Sequence, residues 1–185
     1  MSVASDIDIE FPRGILRPEL HIGSISSISP NRVQFSLIDA VKPSGAHFLG
    51  GRYGKGEVGE FILIEGQLNL LLGRVVEIQL PEKDRHAVHA VSYVDDLNVG
   101  GIIQLLGSVA MDTLRVTAGI ESYPRLGDRL YAAPHMFVAK LPQLMHDGSE
   151  SDVGVYLDLG TVGPSKERIV SVSYTHLTLP TTPYV

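Results

Sequence analysis

Residues 54–82, with the sequence GKGEVGEFILIEGQLNLLLGRVVEIQLPE, contain dense runs of apolar residues. Two apolar runs, 61–64 and 68–72, are separated by the turn 65–67, which is typical of a β-hairpin. A glycine inside a helix would cost it about 1 kcal/mol, whereas Gly73 can provide a bulge or a tight bend in a strand. The segment therefore predicts a central hairpin.

A second pair of strands is predicted between residues 21 and 38, in HIGSISSISPNRVQFSLI. Small polar and apolar residues alternate there around the turn 29–31. Val33, Phe35 and Leu37 fall on one face, because successive strand residues point to opposite sides of a sheet. The same alternation predicts two faces after Gly73: Val75, Glu77 and Gln79 on one, and Val76, Ile78 and Leu80 on the other.

Further strand-like segments follow at short intervals between glycine and proline turns. They lie at 99–111, 113–120, 129–139 and 153–159, and the last is followed by Gly160 and by Gly163-Pro164. Nothing predicts a long helix, and 141–152 is expected to be mostly loop with one helical turn at most. Six to eight short strands with glycine bends predict a mainly β fold, a small closed or nearly closed β-barrel, with a Greek-key sandwich as the alternative.

Length and composition restrict the class of protein. The chain has 185 residues, enough for one domain, and 44% hydrophobic with 6% aromatic residues predicts an aliphatic core. We expect a flexible arm at 1–18, the barrel at 19–170 and a foreign or disordered tail at 171–185. Neither a membrane span nor a secretion signal is visible, so a cytoplasmic protein is expected.

Charge and cysteine content exclude several kinds of site. The chain has no cysteine, which excludes disulfides and cysteine-based metal sites or nucleophiles. Its net charge is -6 and its fifteen Lys and Arg residues are scattered, which argues against an independent nucleic-acid surface. A barrel for single-stranded nucleic acid would also need a basic groove with aromatic platforms, and this is the weakest of the alternatives.

The glycine loop, residues 54–59, has the sequence GKGEVG and matches G-x-G-x-x-G. A dinucleotide site needs a strand before this motif and a helix after it, so that the helix N-terminus holds the pyrophosphate. Here a glycine-rich segment, 42–56, precedes the motif and the predicted strand 61–64 follows it. We therefore interpret the glycines mainly as a bend that enters a strand, and no kinase motif accompanies them.

Other candidate residues lack the partners that their chemistry requires. His86 and His89 have no HExxH glutamate or third ligand at a suitable spacing, and no G-x-S-x-G is present. Asp95-Asp96 is better explained as a turn than as a catalytic dyad. The motif G-x-x-x-x-G-K-[ST] is absent, since Gly163 and Lys166 have neither its spacing nor its context. We therefore assign no catalytic, cofactor-binding or metal residue.

Four segments together resemble a known module. EVGEFILIEG at 57–66 and LLGRVVEIQLPE at 71–82 are similar to the N-terminal barrel of HerA-type ATPases, the HAS barrel. IGSISSISPNRVQFS at 22–36 and VYLDLGTVG at 155–163 are similar to the first and last strands of that module. The resemblance implies a non-catalytic β-barrel in a hexameric, ATP-dependent DNA translocase or helicase of the HerA/FtsK-like class.

The resemblance also implies what the rest of such a protein does. The barrel would help to assemble a ring and would dock a partner nuclease or a sirtuin-like effector, in DNA end processing or phage defence. ATP and magnesium would be bound only by a motor domain, and DNA only through that domain. Because the chain has no Walker A motif, it should not hydrolyse ATP itself, although a full-length parent would. The loops 42–56 and 141–152 are the predicted contact surfaces.

The end of the chain resembles something else. VSYTHLTLPT at 172–181 is similar to the translated read-through of a sequencing adapter. We therefore expect that the native sequence departs from this one near Ser171 and that the motor domain would follow there. The alternative function is a stand-alone β-barrel, either a ligand-binding protein or an enzyme, that uses the loop from Gly54 to Gly59.

Overall fold

The computed structural model describes residues 15–38, 46–48, 51–54, 56–80, 99–145, 155–161 and 168–173. These residues form eleven β-strands, one α-helix and one short 3-10 helix. In chain order the elements are the 3-10 helix Pro18–Leu20, β1 (His21–Ile28), β2 (Arg32–Leu37), β3 (Ala46–Phe48), β4 (Gly51–Tyr53), β5 (Phe61–Ile64), β6 (Leu70–Gln79), β7 (Gly100–Val109), β8 (Val116–Ala118), β9 (Arg129–Ala132), α1 (His135–Leu144), β10 (Val155–Thr161) and β11 (Arg168–Ser173).

Six strands close into an antiparallel barrel in the order β1, β2, β7, β6, β5 and β9, and β9 pairs back with β1. One edge of β7 is shared: β2 pairs with its first half, and β8 pairs with its last three residues. The β3–β4 and β10–β11 hairpins form separate two-stranded sheets. The prediction of a mainly β fold with a small closed barrel is confirmed.

The hairpin predicted between residues 21 and 38 is confirmed, and so is the prediction of which β2 side chains share a face. β1 and β2 pair on either side of the turn 29–31, and the side chains of β2 alternate between buried and exposed. Val33 and Phe35 are each only 1% exposed, whereas Gln34 and Ser36 face solvent. The alternation arises because the barrel interior accepts every second side chain.

The central hairpin is confirmed as β5 and β6, with one correction. The pairing between β6 and β7 shifts register between Leu72 and Gly73, which is the bulge predicted for this glycine. A second shift between Val75 and Glu77 breaks the strict alternation predicted beyond Gly73, because Val76 and Glu77 are both exposed while Val75 and Ile78 both pack in the inner cluster. The second strand also begins later than predicted, because Leu68 lies in the turn and is 76% exposed.

Side chains fill the interior of the barrel. The largest fully buried one is Phe35, and every barrel strand contributes at least one aliphatic residue. Burial of such residues removes apolar surface from water at about 25 cal/mol per Å², which is the main term that stabilises the barrel. The buried members of this inner cluster are Leu20, Ile22, Ile25, Val33, Phe35, Tyr53, Ile62, Ile64, Leu71, Val75, Ile103, Leu105, Leu130 and Ala132.

A second hydrophobic cluster lies on the outside of the barrel, beneath α1. Its largest side chain is Phe137 of the helix, which packs over the outward side chains of β5 and β6. The buried members are Ile15, Leu63, Leu70, Leu72, Val109, Leu114, Val116, Ala133, Phe137 and Leu141. Within the described ranges, no helix has the length and the apolar character that crossing a membrane requires.

The helix corrects the prediction that 129–139 is strand-like. The other prediction, that 141–152 is mostly loop with one helical turn at most, is not contradicted, because 141–144 form the last turn of the helix and 146–152 lie outside the described residues. β9 ends at Ala132, and α1 runs from His135 to Leu144. Phe137 and Leu141 are one turn apart and therefore share the face that covers the second cluster. The proline inside the helix, Pro142, lies in its last turn and makes the segment look like a loop in the sequence.

Two further segments depart from prediction. The predicted loop 42–56 contains the β3–β4 hairpin, while 42–45, 49, 50 and 55 lie outside the described residues. β11 pairs with β10 beyond the last predicted strand and ends at Ser173, three residues into the predicted tail 171–185. The rest of that tail, residues 81–98 and residues 1–14 of the predicted arm at 1–18 lie outside the described residues, so the arm and the tail stay predictions.

Candidate functional site

A cavity of about 520 Å³ lies where the segment 52–61, the start of α1 and the β10–β11 hairpin meet. This volume is within the range of small-molecule sites in proteins. The walls of the cavity come from segments that are distant in sequence, so no single element of the fold forms it. The residues that line it are Arg52, Gly54, Glu57, Val58, Gly59, Glu60, Phe61, Ala133, His135, Val138, Thr161 and Ile169.

The glycine loop forms one wall of the cavity. Gly56 and Gly59 have φ angles of +84° and +95°, which residues with a Cβ rarely adopt. The Gly56 N–H donates to Oε2 of Glu60 over 2.8 Å, and the Glu57 N–H donates to the same oxygen over 3.1 Å. Two successive amides thus converge on one acceptor, which is how a backbone nest holds an anion.

The anion held by this nest is the carboxylate of Glu60. A phosphate bound to the glycine loop would have to displace that carboxylate and then lie beside it. As the sequence predicts, the loop enters a strand, β5, and no helix N-terminus follows to hold a pyrophosphate. The geometry therefore favours the bend interpretation of the glycines over a dinucleotide site.

Glu60 is the titratable group in this wall with a perturbed pKa. Burial withdraws its carboxylate from water and raises its pKa from 4.5 to about 7, with a smaller contribution from the nearby charge of Glu57. The two amide hydrogen bonds act in the opposite direction and keep the shift from being larger. Glu60 therefore changes its charge near neutral pH.

Replacing Glu60 with glutamine is expected to change how stability depends on pH. The pKa in the folded protein lies above the unfolded value, so the stabilising effect of the proton is present below about pH 4.5 and is lost as pH rises through about 7. Glutamine keeps a neutral oxygen for both amides, so Glu60→Gln should be more stable than the native protein at pH 8, by about 1–3 kcal/mol. Urea denaturation at pH 5 and pH 8 measures the difference.

The matched control for this prediction is Glu77→Gln, because Glu77 is an exposed carboxylate outside the cavity. Its stability profile should follow that of the native protein. If Glu60→Gln and the native protein lost the same stability between pH 5 and pH 8, the desolvation of Glu60 would be refuted.

Arginines bracket the glycine loop from two strands. Arg52 on β4 forms an exposed ion pair with Glu57, with Nη2 and Oε1 3.2 Å apart. Arg74 on β6 donates from Nε to the carbonyl of Gly59 over 3.2 Å and stacks over the ring of Phe61. These contacts fix the loop from outside, and the nest fixes it from within.

The opposite wall is the start of α1. Pro134 is the N-cap residue and provides no side-chain cap, so the helix takes a partner from elsewhere. The backbone N–H of His135 donates to the hydroxyl oxygen of Tyr53 over 3.1 Å, and the two rings stack with centroids 4.1 Å apart. Tyr53 thus connects β4 to the helix and holds the two walls of the cavity together.

The structure brings some of the candidate residues together and leaves others aside. Of the loop from Gly54 to Gly59, residues 54 and 57–59 line the cavity, whereas His86, His89, Asp95-Asp96 and the 163–166 motif lie outside the described residues. Sequence reasoning missed Glu60 and His135. The available signal for Glu60 was a carboxylate between a glycine loop and a buried strand, and His135 carries no local signal. In the described part of the chain, no three His, Asp or Glu side chains converge as metal ligands would.

The roles of these residues rest on their geometry. Glu60 accepts hydrogen bonds from two backbone amides, and the backbone N–H of His135 donates to Tyr53. Both Glu60 and His135 line the cavity. A comparison of the chain with the families of known proteins and with curated proteins finds no match.

Proposed function

We propose that this chain is the non-catalytic N-terminal barrel of a HerA-like hexameric, ATP-dependent DNA translocase or helicase. In that role it contributes to ring assembly and docks a partner nuclease or a sirtuin-like effector in the cytoplasm, in DNA end processing or phage defence. ATP, magnesium and DNA are bound by a motor domain elsewhere in the parent protein. The closed six-stranded barrel is the observation that supports this function best.

The barrel supports the proposal because of where the resembling segments lie in it. Residues 57–66 and 71–82 contain β5 and most of β6, and residues 22–36 contain most of β1 and β2. In the closed ring β1 is adjacent to β2, and β5 is adjacent to β6; β7 and β9 separate the two pairs. The segment 155–163 contains all of β10, which lies outside the barrel in its own hairpin. Three of the four segments thus belong to one barrel.

One end of the barrel suits contact with another protein. We call it the turn end; it consists of residues 29–31, 65–69, 110–115 and 119–128. Backbone and side-chain hydrogen bonds bring its turns together, including Glu65 N–H to Arg129 O at 2.9 Å and Asn69 Nδ2 to Glu121 Oε2 at 2.5 Å. Large apolar side chains are exposed there, at 43–76% of their surface: Leu68, Met111, Tyr123 and Leu126. Exposed apolar groups gathered on rigid turns are typical of a docking surface.

The test of the proposed function is the source gene beyond the codon for Ser171. We expect an in-frame Walker A motif within a few tens of codons, followed by the acidic strand of a RecA-like motor. The 185-residue chain itself should show no ATP turnover above a buffer blank. A downstream reading frame without a nucleotide-binding motif, or ATP hydrolysis by the isolated chain, would contradict the proposal.

A further inference from the structure

The cavity beside the glycine loop is suited to binding a small ligand, and this inference does not depend on the proposed function. Its volume of about 520 Å³ is sufficient for a small organic molecule. Five apolar side chains, from β5, α1, β11 and two loops, line it and can remove the body of such a molecule from water. They are Val58, Phe61, Ala133, Val138 and Ile169.

The arginines around this lining have hydrogen-bond or ion-pair partners, whereas Glu60 has no partner of opposite charge among the described residues. The guanidinium of Arg52 is paired with Glu57, and that of Arg74 donates to the backbone of Gly59 from outside the loop. Glu60 accepts two backbone amides through Oε2, and no lysine or arginine among the described residues pairs with it. Its other oxygen keeps acceptor capacity, because a carboxylate offers about four lone-pair sites. The cavity is therefore lined by a partly buried carboxylate that no lysine or arginine in the described part of the chain neutralises.

A carboxylate in this position favours a cationic ligand over an anionic one. Withdrawing a charge from water costs free energy, and this cost is the reason that burial raises the pKa of Glu60. A ligand of opposite charge can offset it. An anion would instead face Glu60 and Glu57 together, with Arg52 already engaged by Glu57. The nest adds to the selectivity, because its two amides are used by Glu60 and leave none for a phosphate.

We propose that this cavity binds a small organic cation, a primary or secondary amine on an apolar body, with the ammonium group against Glu60 and the apolar body on Phe61. Phe61 is the only phenyl ring among the described lining residues, and Glu60, which precedes it in the chain, lines the cavity as well. Val58, which is 64% exposed, would be covered by the bound ligand. The remaining polar groups, His135 and Thr161, lie on other elements and can orient the ligand.

The test compares three probes that share a phenyl ring and differ in charge: 2-phenylethylamine, 2-phenylethanol and 3-phenylpropanoate. Affinities for the full 185-residue chain are measured at pH 8 by ligand-observed NMR titration, with calorimetry where heats allow. We expect the amine to bind about tenfold more tightly than the alcohol, since a charge-assisted hydrogen bond is worth about a factor of ten in affinity, and the propanoate to bind most weakly.

Two variants assign the selectivity to Glu60. Glu60→Gln keeps the oxygen that the nest requires and removes the charge, so the preference for the amine over the alcohol should fall to less than threefold while the alcohol binds as before. Glu77→Gln removes an exposed carboxylate outside the cavity and should retain the tenfold preference.

A further measurement needs no variant and covers the case in which Glu60→Gln fails to fold. The affinity of the native chain for the amine should rise at least threefold from pH 5.5 to pH 8, while its affinity for the alcohol stays constant. Equal binding of amine and alcohol at pH 8, tighter binding of the propanoate, retention of the preference in Glu60→Gln, or no binding of any probe would each overturn the proposal.

Discussion

Replacing Phe137 with alanine is expected to destabilise the protein by about 3–5 kcal/mol, because it empties the centre of the cluster beneath α1. The side chain is 1% exposed and packs with Leu63, Leu70 and Leu72 on the outside of the barrel. Removing it leaves a cavity lined by aliphatic groups that cannot collapse fully, since the barrel strands behind them are held by pairing on both edges. Urea denaturation followed by far-UV circular dichroism measures the loss.

A more conservative substitution separates packing from helix formation. Phe137→Leu keeps most of the apolar volume and should cost less than half as much as Phe137→Ala. Hydrogen exchange should show the amides of α1 losing protection before those of β6 in the alanine variant, because the helix depends on the cluster while the barrel has its own interior core. A loss below about 1 kcal/mol for Phe137→Ala would show that the helix does not pack as described.

Replacing Gly101 with valine is expected to destabilise the barrel by about 3 kcal/mol through overlap at its closing seam. Gly101 on β7 pairs with Phe35 on β2 and with Ile78 on β6. A Cβ at this position would overlap the carbonyl oxygen of Glu77 and approach Cε1 of Phe35 to 2.9 Å. The backbone of one strand must then move, and thermal denaturation should report the cost as a lowered Tm.

The control is Gly127→Ala in the turn before β9. Gly127 has φ of +87° and nothing within 4 Å of an added Cβ, so its substitution tests backbone conformation without overlap. It should cost about 1 kcal/mol. If Gly101→Val were no more destabilising than this control, the close approach of β2, β6 and β7 would be wrong.

The sequence was sufficient to predict the two hairpins because their signals are local. The turn 29–31 lies between alternating strands, and the turn 65–67 lies between apolar runs, so pairing follows from adjacent residues. Gly73 was predictable as a bulge for the same reason. The second bulge, after Val75, has no glycine to indicate it in the sequence and is visible only in the pairing of β6 with β7.

The helix and the cavity depend on contacts that are distant in sequence. Residues 61–64 and 70–72 are continuously apolar, and strands that are buried on both faces lose their alternation of apolar and polar residues. The sequence thus indicated that another element covers the outer face of these strands. Ile62, Ile64 and Leu71 point into the barrel, and Leu63 with its neighbours on β6 lies under α1. The cavity needs β4, α1 and β11 in one place, and no local pattern predicts that meeting.

The position of β9 between β1 and β5 has a consequence for folding. The two early hairpins form from neighbouring residues, yet both β1 and β5 keep an unpaired edge until Arg129–Ala132 arrives from far along the chain. Non-local pairing of this kind is slow, since a long loop must close before its contacts are made. During synthesis the ribosome must therefore release β9 before the barrel can close, and a chaperone that shields the edges of β1 and β5 until then would raise the yield of native protein.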